Sequence, residues 1–252
     1  MATWIGHLRI AEGLLTQFPD LDPASFAYGS LAPDFGKPLD AGSFFPPKEI
    51  SHLQIEENDR SKFNDLIFYR DQLANPAVQE DHFRFSFLLG YFFHLVCDGL
   101  WGCWIGQACK RDFGEMIEEM GEEAWWHFKD DWYGLDVQYA AQQRDSLFWT
   151  EFMKMDDFPL YLEYQDREAV GEQVRRIQKL YSDPPADLAE RDHFPYLSAA
   201  TMDRYVEDSV QFLLEYYRMI TEDGVPDGVD SFQDCFPEER FAPYPGSLGE
   251  MD

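Results

Sequence analysis

The stretch FSFLLGYFFHLVCDGLWGCWIG, residues 85–106, decides the fold of this chain. It is almost free of charge, and a helix of this length could span a bilayer. However, His94 and Asp98 lie near its centre, where ionisable side chains are costly in lipid, and it lacks a basic flank on one side. We therefore interpret it as the buried central helix of a soluble domain rather than a transmembrane span, capped by Asp81 and ending near Lys110.

Helical patterns lie on both sides of this stretch. Further helices are predicted from a cap at Thr3 to about Gln17, at 24–32, at 61–73, after Gly114, at 137–153, at 167–181 and from a cap at Thr201, with an aromatic segment at 125–132. Residues 34–47 are predicted to form a Gly/Pro-rich loop, and His52 is expected to open the helical stretch that follows it. No strand-like alternation is evident. The predicted fold class is all-α, a single multi-helix bundle around the long central apolar helix.

Composition limits the classes of function. The chain has 252 residues, 45% of them hydrophobic and 17% aromatic, which excludes a disordered chain. Its net charge of −28 repels nucleic-acid phosphates and anionic lipid headgroups, and so argues against a nucleic-acid partner. The four cysteines form no CxxC pair, and the segment Met1–His7 lacks signal-peptide features. We therefore expect reduced thiols and a cytoplasmic protein.

The sharpest chemical signal is the pair His94 and Asp98 within the apolar stretch. Residues four apart share a helix face, so an imidazole nitrogen and a carboxylate oxygen could reach one ion. A carboxylate in such surroundings needs a cation or several hydrogen-bond donors. Taken alone, the pair fits a metal site and a buried hydrogen-bonded pair equally well.

Three further residues indicate a metal site only when they are considered together. Taken singly, His7 is an ordinary core or surface histidine, Asp34 a turn residue and His52 a capping or surface group. Together with the pair on the central helix they offer imidazole and carboxylate ligands, which suit zinc best but also manganese or iron.

The motifs around these residues resemble those of the zinc-dependent phospholipase C family. They are Thr3-Trp4-Ile5-Gly6-His7, Gly29-Ser30-Leu31-Ala32-Pro33-Asp34, Ser51-His52 and Gly90-Tyr91-x-x-His94-x-x-x-Asp98-Gly99-x-Trp101. The resemblance covers roughly the first 105 residues. It implies a phospholipase C/nuclease-like helical fold that holds up to three zinc ions.

The resemblance also implies roles for the individual residues. Asp34, His52, His94 and Asp98 would surround one ion, and Asp98 would bridge to a second ion held by His7. In secreted members of the family a processed terminal tryptophan completes that second site, whereas Trp4 is internal here. Candidates for an additional ligand, or for a group that contacts a ligand, are His127 and Asp131, although an aromatic helix face accounts better for His127.

The function implied is metal-dependent hydrolysis of a phosphoester, with Asp34 as the catalytic residue that accepts a proton from water. A small or lipid-like phosphoester suits the acidic surface, and Trp101 and Tyr91 are expected to help bind a cationic headgroup. Two alternatives stay open: a single-strand nuclease of the same fold, and a metal-stabilised helical protein without catalysis. Residues 1–222 are predicted to form the metal-binding domain, and residues 223–252 an acidic Pro/Gly-rich tail packed on it or trailing from it. The sequence does not determine the oligomeric state.

Overall fold

The computed structural model of the protein describes residues 1–39, 44–57 and 60–250, so parts of the predicted loop and tail, residues 40–43 and 251–252, lie outside the described residues. Helices dominate the described part, which confirms the all-α class. The α-helices are α1 (Trp4–Leu15), α2 (Pro23–Gly29), α3 (Lys48–Ser51), α4 (Asp65–Phe68), α5 (Pro76–Gln79), α6 (His82–Trp101), α7 (Gln107–Asp112), α8 (Gly114–Met120), α9 (Glu122–Gln142), α10 (Leu147–Thr150), α11 (Arg167–Ser182), α12 (Ala186–Ala189) and α13 (Ala199–Glu222).

Short turns and two small hairpins connect these helices. Single 3₁₀ turns lie at Ala32–Asp34, Phe152–Lys154, Phe232–Asp234 and Glu238–Phe241, and π-helical turns at Tyr69–Leu73 and Gly102–Gly106. The strands are β1 (Lys37–Pro38), β2 (Phe44–Phe45), β3 (Gln54–Glu57) and β4 (Arg60–Phe63). β1 pairs antiparallel with β2, and β3 with β4.

Helix α6 is the centre of the core, as predicted. The side chain of Asp81 caps it by accepting a hydrogen bond from the Arg84 N–H at 3.1 Å, and the π-helical turn continues it into α7. The whole stretch His82–Asp112 has the length and apolarity to cross a bilayer, but 94% of its most apolar window is buried inside the protein. The protein core therefore accounts for its apolar character.

Helix α2 crosses α6 at very close range through two glycines. A Cβ atom on Gly29 would lie 1.9 Å from the carbonyl oxygen of Phe87, and one on Gly90 would lie 2.4 Å from that of Phe26. Only glycine allows the two backbones to approach so closely. The crossing brings the end of α2, with Ser30, against the middle of α6, where His94 lies.

Two helix predictions differ from the structure in the region between α3 and α5. Residues 61–73 contain β4, α4 and a π-helical turn instead of one amphipathic helix, and His52 follows a helix instead of opening one. Helical periodicity does not reveal this region, because the antiparallel pairing of β3 with β4 joins two short strands of mixed polar and apolar residues.

The predicted boundaries of the later helices also differ in part from those in the structure. The aromatic segment 125–132 and the first part of the predicted helix 137–153 belong to one helix, α9, which is followed by a break and α10. Gly134 lies within α9 and allows close packing there, since a Cβ atom would lie 2.8 Å from Arg191 Cδ. The last long helix is capped by the Ser198 side chain, which accepts from the Thr201 N–H, so Thr201 is not the cap.

The acidic tail packs on the helical body. Phe232, Phe241, Tyr244 and Leu248 are buried. The Phe232 ring occupies the space beside Gly99, where a Cβ atom would lie 2.6 Å from the ring. The tail thus contacts the residue that follows Asp98 on the central helix.

Candidate metal centre

Helix α6 supplies the first two side chains of the site. His94 and Asp98 are each 1% exposed and lie one turn apart on the same face. The distance from His94 Nε2 to Asp98 Oδ2 is 3.5 Å. The predicted pairing of these two residues is thus present in the structure.

Helix α1 adds His7 to this pair. The Thr3 side chain caps α1 by accepting from the Gly6 N–H at 3.2 Å, which starts the helix one turn before His7. His7 Nε2 lies 3.3 Å from Asp98 Oδ1, and the His7 ring stacks on that of His94 with centroids 3.9 Å apart. His7, His94 and Asp98 form a buried group whose ligand atoms lie within 4.8 Å of one another.

The loop side of the site supplies Asp34 and His52. Asp34 ends a 3₁₀ turn that follows α2, and His52 caps the carboxyl end of α3. His52 Nε2 lies 3.3 Å from Asp34 Oδ1, 3.6 Å from Asp98 Oδ2 and 3.4 Å from His94 Nε2. Asp34, His52 and His94 form a second group of ligand atoms, which shares His94 with the first.

Hydrogen bonds outside the two groups fix the orientation of several of these side chains. His94 Nδ1 lies 2.8 Å from the Ser30 carbonyl oxygen, which can only accept, so Nδ1 carries the proton and the Nε2 lone pair faces the site. Trp4 Nε1–H donates to Asp34 Oδ2 at 2.9 Å, and the Ala2 backbone N–H donates to Asp98 Oδ1 at 2.9 Å. Metal-binding histidines and carboxylates usually have such supporting partners.

Two buried atoms at the centre of the site lack a hydrogen bond. They are His7 Nε2 and Asp98 Oδ2. A buried polar atom without a partner costs about 1–3 kcal/mol, and more for a charged group. A divalent cation would satisfy both atoms, since a neutral imidazole nitrogen and a carboxylate oxygen are zinc ligands. The donor set and these two atoms therefore fit zinc.

The electrostatics of the site also suit a cation. Burial and, second, the neighbouring His94 together lower the pKa of His7 to about 4, and burial likewise lowers the pKa of His52. Burial alone would raise the pKa of Asp34, but His52 and His94 outweigh it and lower that pKa to about 2. Near neutral pH His7 and His52 are thus neutral imidazoles and Asp34 is an ionised carboxylate, which are the forms that bind metal.

The pKa values of His94 and Asp98 shift in opposite directions. Burial opposes charge on both, yet the Asp98 carboxylate raises the pKa of His94, and His94 holds the pKa of Asp98 well below its usual range. A proton shared by this pair must leave when a metal binds to His94 Nε2.

The other two candidates lie apart from these groups. Asp131 is fully buried, and its carboxylate accepts hydrogen bonds from Arg191 Nε at 2.9 Å and from the Tyr196 backbone N–H at 2.6 Å. His127 is exposed on α9. Across residues 1–39, 44–57 and 60–250, neither belongs to a group of converging ligand atoms. Asp131 has a structural role here, because it joins α9 to the segment before α13.

Asp136 was missed by the sequence reasoning, although it supports the site. It is buried on α9 and accepts hydrogen bonds from Thr3 Oγ1 at 2.7 Å, from the Ile5 N–H at 3.3 Å and from Tyr181 OH at 2.7 Å. These bonds hold the first turn of α1, which carries Trp4 and leads to His7. A polar residue on the apolar face of α9 was the only signal available in the sequence.

Fold and site together define an all-helical protein with a buried histidine–aspartate cluster that could hold metal. Residues 6–102 match the family model described as zinc dependent phospholipase C, which is the family that the sequence motifs resemble, so the match supports that resemblance. The matched range contains all five residues of the two groups. No curated protein and no solved structure matches the chain. The family and the geometry both support zinc as the metal.

Proposed function

We propose that the protein is a zinc-dependent phosphoester hydrolase of phospholipase C type, with His7, Asp34, His52, His94 and Asp98 as metal ligands. The observation that carries the proposal is the pair of buried, unpartnered atoms, His7 Nε2 and Asp98 Oδ2, in the group that His7 and Asp98 form with His94. The position of His94 in both groups is consistent with two neighbouring ions. Manganese or iron would suit the same ligands.

Zinc bound at such a site lowers the pKa of a water molecule toward neutrality and stabilises negative charge on a phosphoryl oxygen. Asp98 lies between His7 on one side and His52 and His94 on the other, so its two oxygens can serve both groups. The Ser30 carbonyl keeps the His94 Nε2 lone pair directed at the site. The buried surroundings of Asp98 exclude bulk water and strengthen these interactions.

Asp34 is the residue best placed to accept a proton. Its side chain is 12% exposed, whereas those of His7, His52, His94 and Asp98 are at most 3% exposed. A carboxylate at the solvent side of the centre can take a proton from the attacking water and release it outward. Trp4 orients this carboxylate by donating to Oδ2, which leaves Oδ1 facing His52.

The aromatic residues that the sequence predicts at the substrate are not the ones that lie near Asp34. Trp101 and Tyr91 are each 1% exposed and belong to the core, so they do not line a binding surface. Trp4 and Tyr133 are half-buried, with ring centroids 5.9 Å apart, and Asp34 raises the pKa of Tyr133, second to burial. Because the chain has a net charge of −28, we infer that the substrate is a small or zwitterionic phosphoester rather than a polyanion.

Elemental analysis and a turnover assay test this proposal. Protein purified without added metal should contain zinc, and should hydrolyse a chromogenic phosphodiester until a chelator is added. Asp34→Asn should reduce turnover at least about tenfold, since general acid–base groups contribute that much or more. The surface variant Asp130→Asn is the matched control and should keep wild-type turnover.

The same assay separates the alternatives. Stoichiometric zinc without turnover on any phosphoester would replace the proposal with a metal-stabilised helical protein. Cleavage of single-stranded DNA in preference to phosphodiesters of lipid type would favour the nuclease.

A further inference from the structure

Ser51 contacts the imidazole of His52 on the side away from the metal centre. Its hydroxyl oxygen lies 2.9 Å from His52 Nδ1, while His52 Nε2 faces Asp34 and His94. Both residues are buried, with 4% of Ser51 and 2% of His52 exposed, so bulk water does not compete for this contact. Each ring nitrogen of His52 thus has its own partners within the protein.

The partner of His52 Nδ1 differs in kind from the partner of His94 Nδ1. His94 Nδ1 faces the Ser30 carbonyl oxygen, which can only accept a hydrogen bond, and this fixes the tautomer of His94. A serine hydroxyl both donates and accepts, so Ser51 can bond to His52 Nδ1 whether or not that nitrogen carries the proton. The hydrogen bonds therefore fix one tautomer of His94 and permit both tautomers of His52.

Both tautomers of His52 have a use at this position. His52 Nε2 lies 3.3 Å from Asp34 Oδ1, and a carboxylate oxygen only accepts, so a hydrogen bond between them needs the proton on Nε2. A cation bound at Nε2 instead needs the lone pair there and the proton on Nδ1. The ring is neutral in both tautomers: it gains a proton at one nitrogen as it loses one at the other, and Ser51 keeps its own.

The backbone around His52 is held in place from both sides. The Tyr91 hydroxyl donates to the Ser51 carbonyl oxygen, so its own oxygen accepts from the Tyr164 hydroxyl. Leu53, which follows His52 directly, has a φ of 49°, in the left-handed region that residues other than glycine seldom adopt. Such a conformation persists only where the surrounding structure enforces it. A fixed backbone and a hydroxyl that can change its role thus position the His52 ring.

We propose that Ser51 is a positioning residue for His52, and that its hydroxyl changes from donor to acceptor when zinc binds at His52 Nε2. The inference rests on the proposed function only in taking His52 as a zinc ligand, and it makes no use of turnover. Without zinc, Ser51 donates to Nδ1 and the Nε2–H of His52 donates to Asp34. With zinc, Nδ1–H donates to Ser51, so that no buried N–H is left unpaired behind the ligand.

Zinc affinity, measured by competition with a chromophoric chelator, is the first test. Ser51→Ala should bind zinc about 10–100-fold more weakly than wild type, which is the usual effect of losing a hydrogen-bond partner behind a metal ligand. Ser51→Thr keeps a hydroxyl and should restore most of the affinity, since Ser51 lines a small cavity with Pro33 and Phe45 that can accept a methyl group. The matched control is Ser146→Ala, which removes a buried hydroxyl that bonds to no residue in the described part of the chain; it should bind zinc like wild type.

The second test observes the tautomer directly. Nitrogen-15 NMR of the histidine rings distinguishes a protonated ring nitrogen from one with a free lone pair, and the variant His52→Gln assigns the His52 signals. When zinc is added to metal-stripped wild-type protein, the proton of His52 should move from Nε2 to Nδ1. His94 should keep its proton on Nδ1 in both states, because the Ser30 carbonyl only accepts.

These readouts separate the inference from the proposed function. A His52 tautomer that is the same with and without zinc, wild-type affinity in Ser51→Ala, or equal loss in Ser51→Ala and Ser51→Thr would overturn the role of Ser51. A tautomer change with affinity that depends on the Ser51 hydroxyl, but without turnover of any phosphoester, would support that role and overturn the proposed function. Turnover by a protein whose His52 keeps one tautomer would do the reverse.

Discussion

Two kinds of buried aspartate occur in this helical core, and their surroundings differ. Asp136 has both oxygens occupied by protein donors: the Thr3 hydroxyl, the Ile5 N–H and the Tyr181 hydroxyl. Asp98 instead faces three imidazoles and keeps one oxygen, Oδ2, without a hydrogen-bond partner. Both residues are 1–2% exposed, so burial alone does not separate them.

The difference lies in the type of neighbour. Hydroxyl and N–H groups donate protons and satisfy a carboxylate by themselves, as they also do at Asp65, which accepts from Tyr216 OH at 2.6 Å and from the Phe232 N–H at 2.9 Å. Neutral imidazole nitrogens with their lone pairs facing the carboxylate need a cation between them. The kind of neighbour thus distinguishes a structural carboxylate from a metal ligand.

The largest effect expected from this contrast is on metal binding. Asp98→Asn should lower zinc affinity by at least about a hundredfold, because it removes the carboxylate charge that lies between His7 and the His52–His94 pair, and changes to supporting groups alone cost about 10–100-fold. Zinc content after dialysis and titration with a chromophoric chelator measure it. Asp136→Asn should retain zinc, and equal loss in the two variants would erase the distinction between them.

The second effect is on stability. Asp136→Ala leaves three donors without an acceptor and should lower the free energy of unfolding by about 2–4 kcal/mol, with a smaller loss of zinc affinity than Asp98→Asn gives. Urea unfolding with zinc analysis of the native fraction tests this. A variant that unfolds like wild type would show that water replaces the carboxylate at little cost.

The smallest effect is a pH dependence of stability. Burial raises the pKa of Asp65 to about 7, above its unfolded value of 3.8, so the folded state retains a proton that the unfolded state has lost between these pH values. The contribution of Asp65 to stability is therefore complete below about pH 4 and is lost as the pH rises through 7, with a slope of at most about 1.4 kcal/mol per pH unit.

Asp65→Asn should remove this slope. Urea unfolding of wild type and variant at pH 5, 6, 7 and 8 measures the difference in free energy, with Asp130→Asn as the exposed control. Parallel curves for Asp65→Asn and wild type would mean that Asp65 is ionised throughout this range in the folded protein.

Much of the fold could be predicted from local patterns. Apolar periodicity and caps located α1, α6 and α11 closely, because each of these signals acts within a few residues along the chain. The hairpin of β3 and β4 was missed, since its sequence is mixed and polar and its pairing joins separate segments. The continuity of α9 through residues 133–136 was also missed, although α9 runs unbroken from Glu122 to Gln142.

The sequence by itself determined the all-helical class, the buried central helix and the short motifs containing His7, Asp34, His52, His94 and Asp98. Tertiary structure alone decided that these residues meet, through the glycine crossing of α2 and α6 and the attachment of α1 to Asp136. It also decided that Asp131 binds Arg191 and that Trp101 and Tyr91 lie in the core. The physical reason is that a side chain's neighbours are set by packing between distant segments, whereas helix formation depends mainly on neighbours along the chain.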